Sequence, residues 1–221
     1  MSVVLPNEFS CIARTAVFDE SEPVDFRHLA QPGVPAGLVE QLQVKRFLVT
    51  TSRVHSTVSK HHAIDFVETL IKIPVVLYGR WYLYPVVTFV DNEYSLIRGY
   101  LLGFNKVFAA KSQGCHPLTL VQPGLDVDFR ADKECGSTVP ELPTEQNYGL
   151  LLWTDYSIGE GVRSRGFANP IIHTYVRDSV VSLKIARENQ IVAGRKLVAQ
   201  QLYEIRDRFV IPGTVPVSIP N

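Results

Sequence analysis

Apolar and polar positions alternate along much of this chain, and the apolar runs are broken by glycine, proline and asparagine. "QVKRFLVTTSRV" (Gln43 to Val54) reads as a strand, and "QPGVPAGL" (Gln31 to Leu38) before it is a turn-rich connector. His61 to Val90 continues as strands. Its most apolar part, "IPVVLYGRWYLYPVVTFV" (Ile73 to Val90), raises the possibility of a membrane span. Gly79 and Arg80 cut that run, Pro74 and Pro85 punctuate it, and β-branched and aromatic residues dominate it. The pattern predicts two buried strands joined at Tyr78-Gly79-Arg80 rather than a spanning helix.

The period then changes. Asp91 or Asn92 is a good N-cap, and Tyr94, Ile97 and Leu101, with Leu96 and Tyr100, recur at helical spacing. Gly103 closes this short helix as its C′ residue. "LTLV" and "LDVDFRA" are further strand candidates, "CGSTVPELPTEQN" is a loop, and "YGLLLWTDYSI" and "IIHTYVRDSVVSLKIA" are strands. Asn189 is expected to cap a last helix whose apolar positions are Ile191, Val198, Leu202, Ile205 and Phe209, with "IPGTVPVSIPN" as an extended tail. The sum is an α+β, mainly antiparallel β chain, expected to form a single domain over residues 1–221.

The 221 residues are 46% apolar and 20% charged, enough for a sizeable core. Lysine plus arginine equals aspartate plus glutamate at 22 each, which argues against nucleic acid or an anionic membrane surface as partner. Cys11, Cys115 and Cys135 form neither a zinc pattern nor a disulfide framework. "MSVVLPNEFSCIAR" lacks the basic and apolar regions of a signal peptide, so a soluble cytoplasmic protein is expected.

Lys106 is the odd residue of "LLGFNKVFAA" (Leu101 to Ala110), which is otherwise apolar or small apart from Asn105. A lysine amine titrates near ~10.4, so at pH 7 only about one in 2,500 is the neutral nucleophile. Burial without a counter-ion releases that proton at a cost of about 4–7 kcal/mol. Two readings follow from the local sequence: an ammonium that snorkels past a helix C-terminus, or an amine kept dry for chemistry.

"IPVVLYG" followed by "VDNEYSLIRGYLLGFNK" resembles the core signature of the acetoacetate decarboxylase-like superfamily, over about Glu68 to Ala110. The signature elements are Asp91-Asn92-Glu93, Gly99-Tyr100-Leu101 and Gly103-Phe104-Asn105-Lys106. The resemblance implies a cone- or barrel-like sheet, a catalytic imine-forming lysine at Lys106 and a pocket glutamate at Glu68. It further implies a substrate pocket with Phe104, Val107, Tyr100 and Tyr84, and a homo-oligomer. The sequence departs from the pattern in several places. Val107 stands where a second lysine is usual, Tyr100 and Leu101 replace arginine and glutamate, and Asn105 replaces proline. The Gly99–Lys106 segment is one residue shorter than usual. No second glutamate lies near Phe47-Leu48, and Arg14 is the candidate for an N-terminal substrate-binding arginine.

The implied function is that of a Schiff-base-forming lyase acting on a keto acid or aldehyde, by decarboxylation or by aldol or dehydration chemistry, in secondary metabolism. Lys106 attacks the carbonyl, Glu68 moves protons, and Leu101, Phe104, Val107 and Phe108 exclude water; neither a metal nor an organic cofactor is required. The alternative is a non-catalytic binder in which Lys106 pairs with a ligand carboxylate, and a third option is a structural oligomer with a filled core. His55 with "KHH" (Lys60 to His62), Cys115-His116 and "GEGVRSRG" (Gly159 to Gly166) read as strand edge, chance neighbours and hairpin loop. Asp155 and Glu160 read as surface carboxylates, and the expected C-terminal helix as packing or a subunit contact.

Overall fold

The computed structural model describes residues 7–59, 62–109, 119–134, 141–158, 162–185 and 187–217. The strands are β1 (Asn7–Asp25), β2 (Gln43–Ser59), β3 (His62–Leu77), β4 (Arg80–Val90), β5 (Lys106–Phe108), β6 (Thr119–Gln122), β7 (Leu125–Asp128), β8 (Ala131–Glu134), β9 (Gly149–Leu150), β10 (Leu152–Ile158), β11 (Val162–Ile185), β12 (Asn189–Val192), β13 (Arg195–Val198) and β14 (Gln201–Pro216). Among the described residues two α-helices accompany them, α1 (Ala36–Val39) and α2 (Glu93–Leu102).

Ten strands form one sheet in the order β10-β11-β14-β1-β2-β3-β4-β5, with β8 added at β11 and β9 at β4. Its pairings are antiparallel except those of β4 with β5 and with β9. The run Ile73 to Val90 is split as the sequence predicts, with Tyr78 and Gly79 at positive φ between β3 and β4. No helix among the described residues is long and apolar enough to cross a membrane.

Strand periodicity gives the large sheet two unlike faces. One face carries Ala16, Phe18, Phe47, Val49, Ile71 and Ile73 into the main core, where the second sheet, β13-β12-β7-β6, packs on it through Leu125, Val127, Val192 and Leu197. Phe47 stacks on Phe18 and meets Phe26 edge-on, with ring centroids 4.9 and 4.8 Å away. The amide of Gln190, buried in the small sheet, accepts from Asp128 N–H at 2.7 Å and donates to the Arg187 carbonyl at 2.6 Å. The opposite face carries smaller clusters, one of Cys11, Val54, Phe66 and Val90, the other of Val17, Leu48, Leu83, Tyr203 and Ile205.

The expected C-terminal helix is instead three strands, β12 to β14. Ala193 (φ 51°) and Gly194 (φ 73°) turn the chain, so Gln190, Val192 and Leu197 are buried while Ile191 and Val198 face outward. The step of seven from Ile191 to Val198 spans that turn, and the later steps of four, three and four run from β13 into β14, where Leu202 joins the main core and Ile205 the opposite face. The expected tail is also ordered at its start: Ile211 to Pro216 continues β14 beside β11.

Helix α2 has the predicted ends. The Asn92 carboxamide oxygen accepts from Ser95 N–H at 3.0 Å, and Gly103 is left-handed at φ 97° with its N–H on the Gly99 and Tyr100 carbonyls. Its facing is inverted from what the apolar spacing suggests. The stripe turned to the sheet is Ser95, Arg98, Gly99 and Leu102, whereas Tyr94, Ile97 and Tyr100 are exposed.

Candidate active site

Strand β5 brings the lysine in. It lies parallel to β4 with Lys106 beside Thr88, and Thr88 N–H donates to the Asn105 carbonyl at 2.8 Å. The Asn105 side chain then straps this corner by donating to the Leu29 and Val86 carbonyls at 2.9 and 2.8 Å, bonds that a proline could not make. From there the lysine stem runs beneath α2, across Gly99. A Cβ at residue 99 would lie 2.2 Å from Lys106 Cε and 2.4 Å from Cδ, closer than non-bonded atoms come. The glycine is there for the passage of the lysine.

The amine ends in a polar niche. Lys106 Nζ donates to Glu68 Oε2 at 3.0 Å and to Ser95 Oγ at 2.9 Å, and its side chain is 7% exposed. Glu68 reaches it from the middle of β3, across 38 residues of sequence. The rings of Phe66 and Phe104 lie with their centroids 5.6 and 5.7 Å from the nitrogen, a distance at which ring faces attract a cation. Arg98 comes from α2, stacks 4.7 Å over Phe9 and donates to Ser56 Oγ at 3.5 Å. Burial pushes its guanidinium down to about 10, opposed by the charges of Tyr94 and Glu68.

Register extends this niche along one sheet face. Asp207, Cys11, Val54 and Phe66 stand in one cross-strand row, with Ile205, Ala13, Ser52 and Glu68 in the next. Lys72 follows Glu68 and Leu70 on the same side of β3, because the extra residue at this point belongs to β4. Burial pushes its amine down to about 8, with Asp207 and Glu68 opposing. The same enclosure pushes the Asp207 carboxyl and the Cys11 thiol up. Asp207 Oδ2 accepts from Tyr175 Oη at 3.1 Å, and Arg177 Nε donates to that same phenol oxygen at 3.3 Å.

Of the residues expected around Lys106, the structure gathers Glu68 and Phe104. Tyr84 lies in the main core, on the other side of the sheet, where burial pushes its phenol up. Val107, the strand neighbour of Lys106, is 42% exposed, since successive side chains of a strand point to opposite faces. Tyr100 is 47% exposed on the outer side of α2, its hydroxyl donating to the Asp155 carbonyl at 3.5 Å. Phe108 is exposed as well and Leu101 is half-buried, so of the expected apolar wall Phe104 stands at the amine, where it is joined by Phe66, which was not expected. Arg14 is held on the opposite face by Glu204 at 2.8 Å and the Phe129 carbonyl at 2.8 Å, and does not join the niche.

Ser95, Arg98, Lys72 and Asp207 were not singled out by the sequence. Alternation with Glu68 along β3 was the available signal for Lys72, and the i, i+3, i+4, i+7 stripe Ser95-Arg98-Gly99-Leu102 was the signal for the helix. His55 pairs with Asp65 at 2.9 Å, and Asp155 faces Arg165 at 3.7 Å. Lys60, His61, Cys115, His116 and Glu160 lie outside the described residues, as do Gly159 and Gly161 of the hairpin loop.

No family model and no curated protein sequence matches the chain. Solved structures do match it. Against the enduracididine biosynthesis enzyme MppR complexed with pyruvate, 99% of this chain and 92% of that one superpose with a TM-score of 0.64 at 12% identity. An acetoacetate decarboxylase-like enzyme from Sphingomonas wittichii RW1 gives a TM-score of 0.63 at 13% identity, over 98% and 95% of the two chains. Acetoacetate decarboxylase from Legionella pneumophila gives 0.55 at 10% identity, over 99% and 90%.

Proposed function

Because the chain has the acetoacetate decarboxylase-like fold, we propose that it is a Schiff-base-forming lyase acting through Lys106 on a keto acid. The observation that carries this reading is the enclosed amine within hydrogen-bond reach of one carboxylate, Glu68, and one hydroxyl, Ser95. Lys106 Nζ and Glu68 Oε2 stand as a pair at 3.0 Å. A ketone arriving beside it draws the proton from Nζ to Glu68, and the freed lone pair attacks the carbonyl carbon. The carbinolamine hydroxyl leaves as water after taking a proton back from Glu68, with Ser95 holding the departing oxygen. The iminium nitrogen then accepts the electron pair from a bond β to it. If that bond leads to a carboxylate, carbon dioxide leaves; if it leads to a hydroxylated carbon or a proton, the enamine serves aldol or dehydration chemistry.

Arg98, whose guanidinium interacts with Glu68, is read as the partner of a substrate carboxylate. Phe66 and Phe104 hold water away from the reacting carbon. A small keto acid is the first probe to use, since the related MppR has been solved with pyruvate and with the condensation product of pyruvate and imidazole 4-carboxaldehyde.

Borohydride reduction in the presence of pyruvate, read by peptide mass, is the test. The expected result is one reduced pyruvyl adduct on the Lys106 peptide, absent from Lys106→Ala, whose circular dichroism stays native. An adduct on another lysine overturns the assignment. The binder reading, in which Lys106 pairs with a ligand carboxylate, predicts no reducible adduct with any keto acid or aldehyde.

A further inference from the structure

We propose that Lys72 is the proton carrier at the carbon next to the Lys106 imine, taking a proton from that carbon and returning it. This rests on Lys106 being the imine-forming amine. Glu68 is bound to Lys106 at 3.0 Å, so it serves the nitrogen end of the reaction. Carbon chemistry needs a second base on the same side of the sheet, and regular alternation of β3 sets Lys72 there, past Glu68 and Leu70. Its cross-strand neighbours, Leu48 on β2 and Pro85 on β4, carry no charge.

Among the described residues, the titratable and charged groups on this face include Glu68 on the same strand, Lys106 on β5, Arg98 on α2, Cys11 on β1, Asp207 and Tyr203 on β14, Tyr175 and Arg177 on β11, and Arg46 on β2 with its partners Asp19 and Glu145. Tyr203 is occupied by Gln146, and the Cys11 thiol is held protonated by burial. Asp207 and Glu68 are the charges that act on Lys72. Asp207 in turn leads outward. Its Oδ2 accepts from Tyr175 Oη, on a residue 46% exposed, while its Oδ1 is buried with no protein partner. Tyr175 thus joins Asp207 to the exposed surface, and Asp207 acts on the interior amine through its charge. An amine brought down to about 8 by burial holds both protonation states near neutral pH.

The step balances within these groups. A C–H bond beside the iminium breaks, and its electron pair forms the carbon–carbon double bond of the enamine while the imine π pair moves onto the Lys106 nitrogen. The proton joins the Lys72 lone pair. Reversal returns it, or returns a deuteron after the amine has exchanged with D2O.

The test is methyl deuteration of pyruvate in D2O, followed by NMR across pH, with borohydride trapping run alongside on the same samples. Wild type is expected to exchange with a rate that rises as pH passes about 8, because the neutral amine removes the proton. Lys72→Met is expected to lose about a hundredfold in exchange, and the inflection with it, while the adduct on Lys106 still forms. Lys72→Arg, which keeps the charge and cannot release a proton, is expected to be as slow as Lys72→Met. Exchange retained by Lys72→Met, or restored by Lys72→Arg, overturns the proposal in favour of a spatial or purely electrostatic role. An adduct on Lys72 overturns it too, by making that amine the nucleophile. Failure of the underlying reading is a separate result: wild type then gives no adduct on Lys106.

Discussion

The two faces of the ten-stranded sheet are made by the same strands one residue out of phase, yet they are opposites. On one, Ala16, Phe18, Phe47, Val49, Ile71 and Ile73 are almost wholly enclosed and pack against the small sheet. On the other, Thr15, Thr50, Ser52, Glu68, Lys72, Lys106 and Asp207 line up, with the Thr15 and Thr50 hydroxyls bonded to each other at 2.7 Å. Because the side-chain period of a strand is two, slipping one strand by a residue would exchange its contributions to the two faces. The register that closes the core is therefore the register that assembles the site. Burial on the first face supplies the stability that lets partly desolvated charges persist on the second.

The sharpest way to break this comparison is to weaken the apolar face alone. Phe47→Ala removes a ring packed between Phe18 and Phe26 and is expected to cost about 3–5 kcal/mol in urea unfolding. The pyruvate adduct per folded molecule should be unchanged; a loss of adduct at full folding would show that the faces are not separable. Gly99→Ala works the other way. Alanine is favoured over glycine inside a helix by roughly 0.5–1 kcal/mol, but its Cβ takes the space of the Lys106 stem. Adduct formation is expected to fall about a hundredfold, with the melting temperature held or raised. Trapping at the wild-type rate would mean that the lysine reaches the substrate by another path.

Asn105→Ala touches both properties at their junction. It removes two side-chain hydrogen bonds and leaves the Leu29 and Val86 carbonyls to find other donors, at an expected cost of about 1–3 kcal/mol in urea unfolding. It should also slow trapping, because β5 carries Lys106; an effect on stability alone would separate the strap from the site.

The smallest effect is on pH dependence. The amine of Lys72 is held near 8 in the fold against about 10.5 for the free side chain, so between these values the unfolded chain binds more protons. Its contribution to stability is complete above about 10.5 and is lost as pH falls through about 8. Tyr84 and Tyr203, pushed up by burial, act in the opposite sense at alkaline pH. The measurement is therefore the wild-type minus Lys72→Met difference in unfolding free energy, expected to rise by about 1–3 kcal/mol over that window. A flat difference would mean that the amine is solvated.

Much of this arrangement was legible in the sequence, and the limits are physical. Glycine at the β3–β4 turn and the Asn92 and Gly103 caps are local devices, set by backbone sterics and single hydrogen bonds, and they stand where the chain predicts them. The stretch Ile191 to Phe209 departs from the expected helix because apolar spacings of three and four also arise on a strand buried on both sides, as where Leu202 and Ile205 of β14 enter clusters on opposite faces. Tyr100 and Val107 were misplaced for a related reason. The resemblance implies both at the pocket, whereas helix and strand periodicity turn both side chains outward.

By itself, the sequence determined the alternation that makes strands, the short capped helix and an odd lysine just after it. These depend on neighbours a few residues apart, and such interactions are written in local order. Tertiary structure alone decided that Glu68 would meet that lysine across 38 residues, that Ser95 and Gly99 would face it, and that Lys72 and Asp207 would share its side of the sheet. Those choices follow from strand pairing and register between distant segments, fixed only when the apolar face finds the partners that bury it.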